Sequence, residues 1–102
     1  KLMSAKILMR WDIRPEKESE SFELLVHEFI PALNKLGIAD ILVWYTAYGD
    51  CEQKLAEGTT ESVEAMKSIL GSEEWVILID KLQNYVVDFD LKVIAATRGF
   101  QI

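Results

Sequence analysis

The sequence predicts an α+β fold in which strands and helices follow the order βαββαβ, with four antiparallel strands in one sheet and the helices on one face. Three observations carry this. Apolar and polar residues alternate with a period of two near both ends, over 5–12 and 87–96. Apolar residues recur at three- and four-residue steps over 22–36 and again over 63–85. Between them, residues 41–48 are apolar on both sides of a strand.

In order along the chain, Ala5, Ile7, Met9 and Trp11 fall on one side of the first strand and Lys6, Leu8, Arg10 and Asp12 on the other. Arg14-Pro15 ends it, because proline cannot extend a central ladder. Ser19 or Ser21 can cap the next helix, whose apolar stripe reads Phe22, Leu25, Val26, Phe29, Leu33 and Leu36. Pro31 lies inside that helix and removes a hydrogen bond to the His27 carbonyl, so a kink is expected there. Gly37 is a natural left-handed stop.

In Ile41–Tyr48, Ile41, Val43, Tyr45 and Ala47 point one way and Leu42, Trp44, Thr46 and Tyr48 the other. A half-solvated antiparallel strand shows one polar face, and this one does not. The helices can cover one side; a second copy of the chain is the simplest cover for the other. Gly49-Asp50 reads as a turn, followed by a weak strand over 54–60 with Leu55, Glu57 and Thr59 on one face. Gly58 within it points to a bulge or a close backbone approach.

Thr60 can cap a helix through Leu70 with Val63, Met66, Ile69 and Leu70 inward, and Gly71-Ser72 breaks it before a fresh start at Ser72-Glu-Glu. The apolar run Trp75–Ile79 fits a buried strand or a helix; the continuation through Leu82 and Tyr85 favours helix. The last strand sets Val87, Phe89, Leu91, Val93 and Ala95 against Asp88, Asp90, Lys92, Ile94 and Ala96. A short tail, 98–102, carries Phe100 and Ile102, which should dock on something. The whole, 1–102, reads as one domain.

Composition narrows the function classes. Half the residues are hydrophobic and the formal net charge is −6, which argues against nucleic acid or an anionic membrane as partner. The single cysteine, Cys51, forms no internal disulfide and has acidic neighbours that disfavour a thiolate. The lone cysteine suits a reducing cytoplasm, the expected location, and no apolar run approaches the roughly 20 residues that span a bilayer. No Gly-rich phosphate loop or nucleophile elbow occurs.

The first and third strands of this topology are central and the second and fourth are edges. Strand 41–48 is therefore an edge with two apolar faces, an aggregation risk unless two sheets pack face to face. The opening strand Lys6-Ile-Leu-Met-Arg10, the helix ending Pro31-Ala-Leu-Asn-Lys-Leu-Gly37, and the run from Ser62-Val-Glu-Ala-Met66 through Gly71-Ser-Glu-Glu-Trp75 resemble the dimeric α+β barrel superfamily. The likeness is greatest to its small antibiotic-biosynthesis-monooxygenase-like members. The resemblance implies a ferredoxin-like subunit whose sheet packs on that of a second copy. It implies no single chemistry, since the superfamily includes cofactor-free monooxygenases, isomerases, haem-degrading enzymes and ligand sensors.

Candidate site residues follow from the strands. Trp11, Trp44, Tyr45 and Tyr48 can stack on a flat apolar ligand or pack core and interface; with Leu8 they make an aromatic and aliphatic wall of the kind that lines small-molecule pockets. Arg10 and Glu57 are charges at central positions, and a direct or water-bridged Arg10–Glu57 pair is expected in the space between subunits. There Arg10 would hold an anionic or carbonyl oxygen and Glu57 would act as a base, or the two would form a structural ion pair. His27 falls on the polar side of its helix and reads as a surface residue; no second histidine or cysteine pair exists to complete a zinc site. No metal or cofactor is called for. The resulting expectation is a homodimer binding a small apolar or aromatic molecule in an enclosed lumen. The alternatives are a cofactor-independent enzyme on a small aromatic or carbonyl compound and a purely structural dimer.

Overall fold

Burial in the computed structural model, which describes residues 3–48 and 51–97, follows the alternation of the first strand residue by residue. In β1 (Met3–Ile13), Ala5, Ile7, Met9 and Trp11 are at most 1% exposed while Lys6, Leu8 and Arg10 lie on the other side. β1 is central in a four-stranded sheet of order β2-β3-β1-β4, antiparallel throughout. The edges are β2 (Ala39–Tyr48) and β4 (Val86–Thr97), and β3 (Cys51–Thr60) lies between β2 and β1. This is the expected ferredoxin-like arrangement. The 49–50 turn and the 98–102 tail lie outside the described residues.

The first helical rod shows a departure from simple spacing. It begins as α1 (Glu18–Leu24), widens into a π-helical turn at Leu25–Phe29, and continues as α2 (Ile30–Leu36). A π turn takes in one residue more than an α turn, and it ends two residues before Pro31. The turn also resets the helix phase. Upstream of it the inward positions are Ser21 and Leu24, each one place before the expected Phe22 and Leu25; Leu25 itself is buried as expected, while Phe22 and Val26 face solvent at 56% and 40% exposure. Neither Ser19 nor Ser21 caps α1: Lys17 occupies the cap position without a side-chain bond, and Ser21 is buried. Gly37 closes α2 in the left-handed conformation (φ 114°), as expected.

The second helical layer breaks where the sequence breaks. Ser62, not Thr60, caps α3 (Val63–Leu70), its Oγ accepting from Ala65 N–H at 3.0 Å. Thr60 remains in β3 and donates its hydroxyl to the Ser62 carbonyl at 2.7 Å. Ser72 caps α4 (Glu73–Leu82), accepting from Trp75 N–H at 3.2 Å. Trp75–Ile79 is thus helical, with Trp75, Leu78 and Leu82 buried.

Both layers pack on the same sheet face. Trp11 anchors the core, edge-on to Phe29 at 5.9 Å and stacked on Phe89 at 6.0 Å. Each fully buried Leu, Ile, Met or Phe side chain contributes about 1.5–3 kcal/mol, so this layer supplies most of the driving force. Gly58 is a close-approach glycine rather than a bulge: a Cβ there would stand 2.3 Å from Ile38 Cγ2. The irregularities fall on the edge strands, between Ala39 and Leu42 of β2 and opposite Arg10–Asp12 in β4. Asp40 and Asp88 take positive φ there, 52° and 56°.

Candidate functional site

Antiparallel register decides which side chains share the sheet face that carries no helix. Leu8 stands across from Glu57 of β3 and Lys92 of β4. Arg10 stands across from Leu55 and Asp90. On β2, Trp44 is opposite Leu55 and Leu42 opposite Glu57. Ile94 completes the apolar set, opposite Lys6. Leu42, Trp44 and Ile94 are 52%, 47% and 41% exposed, an apolar patch far better suited to cover than to water.

Within this patch lies a hollow of about 450 Å³ lined by Leu8, Met9, Trp44, Tyr45, Leu55 and Ala56. Met9 and Ala56 have their side chains in the core, so the hollow's reach comes from Leu8, Trp44 and Leu55. Of the expected site residues, Leu8 and Trp44 are brought together here. Tyr45 borders the hollow, but its register opposite Lys54 belongs to the helix side, where Lys54 Nζ lies 4.6 Å from its ring centre. Tyr48 pairs with Cys51 at the end of β2; its side chain lies outside the described residues.

Arg10 and Glu57 do share this face, as expected, but the ion pairs divide differently. Lys6 Nζ lies 3.6 Å from Glu57 Oε2, and Arg10 Nη2 lies 3.6 Å from Asp90 Oδ2. The physical reason is register. Asp90 is directly across from Arg10, whereas Glu57 is across from Leu8 and so diagonal to both cations. The pairs also differ in surroundings: the Glu57 side chain is 17% exposed and that of Asp90 is 69%. Lys6, Leu42, Leu55 and Asp90 belong to the face but were not singled out from sequence. Their parity within each strand is the signal that finds them.

Asp12 accepts from Gln53 Nε2 at 3.2 Å, and Arg14 donates to the Gln83 carbonyl at 3.4 Å, at the C-terminal end of α4. His27 is 69% exposed with Nε2 3.5 Å from Glu23, one helical turn away. Among the described residues no group of three His, Cys, Asp or Glu is placed to hold a metal, and no helix is long and apolar enough to cross a membrane. A second hollow, about 440 Å³, runs between α2 and α4 over Ala32, Leu36, Ile77 and Leu78. The Lys81 ammonium bonds Glu28 across it, and that bond and charge hold the Lys81 pKa above its ordinary value.

Solved structures match this architecture across nearly its whole length. A putative antibiotic biosynthesis monooxygenase from Deinococcus radiodurans superposes with a TM-score of 0.74 at 19% identity, covering 96% of this chain and 97% of that one. SnoaB, a cofactor-independent oxygenase from Streptomyces nogalater, matches with a TM-score of 0.72 at 8% identity, over 95% and 96% of the two chains. The fold is that of the antibiotic-biosynthesis-monooxygenase-like proteins. A hydroxynitrile lyase from Passiflora edulis shares it equally well, with a TM-score of 0.75 at 8% identity over 96% and 97%. One fold thus serves an oxygenase and a lyase, and the reaction has to be argued from side chains. By sequence, neither a protein-family model nor a curated protein matches the chain.

Proposed function

We propose that a second copy of the chain, acting as one domain, closes the helix-free sheet face and that the space left between the copies holds a small apolar or aromatic molecule. The observation that carries this is the hollow over Leu8, Trp44 and Leu55 on a face whose flanks, Leu42 and Ile94, are also apolar and exposed. Leu8 and Trp44 are the ligand contacts in this reading, with Tyr45 and Tyr48 at the edge-strand rim. Closing the face also removes the hazard of an edge strand apolar on both sides. Trp44 is a built-in reporter. Its emission, taken as the difference between wild type and Trp44→Phe, should be that of a buried indole at micromolar protein and shift red on dilution. Emission typical of a hydrated indole at every concentration would remove the proposal.

A second reading, an enzyme working without a bound cofactor, is favoured by one observation: Glu57 is a shielded carboxylate next to the hollow, directly across from Leu8. Here Glu57 is the base and Arg10 the holder of a carbonyl or anionic oxygen, the latter by exchanging Asp90 for substrate. Glu57→Gln should then abolish turnover of any substrate found while leaving the assembly intact. Turnover that survives this change leaves binding as the function.

A further inference from the structure

Among the described residues, the basic side chains of the helix-free face pair off with one exception. Lys6 is matched by Glu57 and Arg10 by Asp90. Asp12 is held by Gln53 and lies four residues along β1 from Leu8, roughly 13 Å away. Lys92 is exposed, sits directly across from Leu8, and takes part in none of the ion pairs among the described residues. Directly opposite side chains stand about 4.5–5.5 Å apart at Cβ, so its four-carbon stem can bring the ammonium over the hollow.

Closure sharpens the imbalance. A two-fold interface adds only a second set of the same groups, whose Glu57 and Asp90 carboxylates are already engaged and whose Asp12 is held by Gln53 roughly 13 Å along the strand from Leu8. Two Lys92 cations would then be drawn out of water without an anion, which is unfavourable unless something supplies one. We infer that the ligand supplies it: an aromatic or apolar anion, its flat body on Leu8, Trp44 and Leu55 and its carboxylate, phenolate or sulfonate on the Lys92 ammonium. This rests on the proposed closure by a second copy and adds the ligand's charge and the residue that reads it.

Two dyes of matching apolar body test it, the anionic 1-anilinonaphthalene-8-sulfonate and the neutral N-phenyl-1-naphthylamine. Lys92→Met should weaken the anionic dye tenfold or more and leave the neutral one within twofold, while Lys92→Arg retains both. Leu8→Gln, which spoils the hollow, should weaken both. Equal effects of Lys92→Met on the two dyes, or none on the anionic one, overturn the inference while leaving the hollow intact. Conversion of Lys92→Met to single chains also overturns it, because the counter-charge would then lie on the partner copy. Failure of wild type to bind either dye, or indifference of both dyes to Leu8→Gln, overturns the underlying binding proposal instead.

Discussion

Both faces of the sheet carry large apolar side chains, but those side chains have opposite fates. On the helix side, Ile7, Met9 and Trp11 are sealed to 1% exposure or less. One residue over, Leu8 on the other face lines a hollow with Trp44, and Trp44 and Leu42 of that face are about half exposed. Two things separate the faces: the helix-free one carries the charges Lys6, Arg10, Glu57, Asp90 and Lys92, and its apolar residues have no cover within the chain. The helix side has its cover within the chain, paid for by two helical layers. The other side sets an apolar patch, Leu8, Leu42, Trp44, Leu55 and Ile94, among ion pairs, Lys6–Glu57 and Arg10–Asp90. Such pairs suit a surface that meets a partner or ligand rather than a permanent core.

The largest expected contrast uses neighbours in β1. Ile7→Asp puts an unpaired carboxylate into the core and should cost more than about 4 kcal/mol, enough to abolish the cooperative melt followed by circular dichroism. Leu8→Asp should keep the far-UV spectrum and a cooperative melt. Similar damage from both would mean that the two faces are not distinct in the way described.

Much of this contrast was legible in the sequence. The period-2 pattern of Ala5–Trp11 assigned the core face correctly, and the spacing of Trp75, Leu78 and Leu82 identified a helix where composition alone also fits a strand. The two-sided apolarity of Ile41–Tyr48 marked a strand that does lie at the sheet edge, with Leu42 and Trp44 about half exposed. Three features were illegible for physical reasons. Around the π turn Ser21 and Leu24 face inward in place of Phe22 and Val26, and nothing in a 3.6-residue period signals that. Competition among nearby hydroxyls let Ser62 rather than Thr60 cap α3. The Arg10–Glu57 pair was placed on the correct face, but its partners depend on the β4 register, which strand parity leaves undetermined.

Next in size is Gly58→Ala. The added carbon would meet Ile38 at 2.3 Å, and overpacking of this kind costs about 1–3 kcal/mol, read by urea denaturation. A neutral result would mean that Ile38 yields and that the β2–β3 approach is looser than the helix-side packing implies. The helix caps follow. Ser62→Ala and Ser72→Ala should each cost about 1 kcal/mol, whereas Ser19→Ala should leave the midpoint unchanged, because α1 has no side-chain cap.

Pro31→Ala should have a small effect, under about 1 kcal/mol. Restoring an α-helical path would favour the alanine, yet it would turn the packed Leu24 and Ser21 away from the core, and the two effects offset. A gain approaching about 3 kcal/mol, the usual penalty of an interior proline, would show that the π turn is imposed by the ring rather than held by packing.

The central claim, that the helix-free face is covered by a second copy, is tested most directly by light scattering of wild type and Leu8→Asp across micromolar concentrations. The account predicts a wild-type mass of twice 11.7 kDa and a folded Leu8→Asp chain at 11.7 kDa. A wild-type mass of 11.7 kDa throughout, or a Leu8→Asp variant that still pairs, would contradict it.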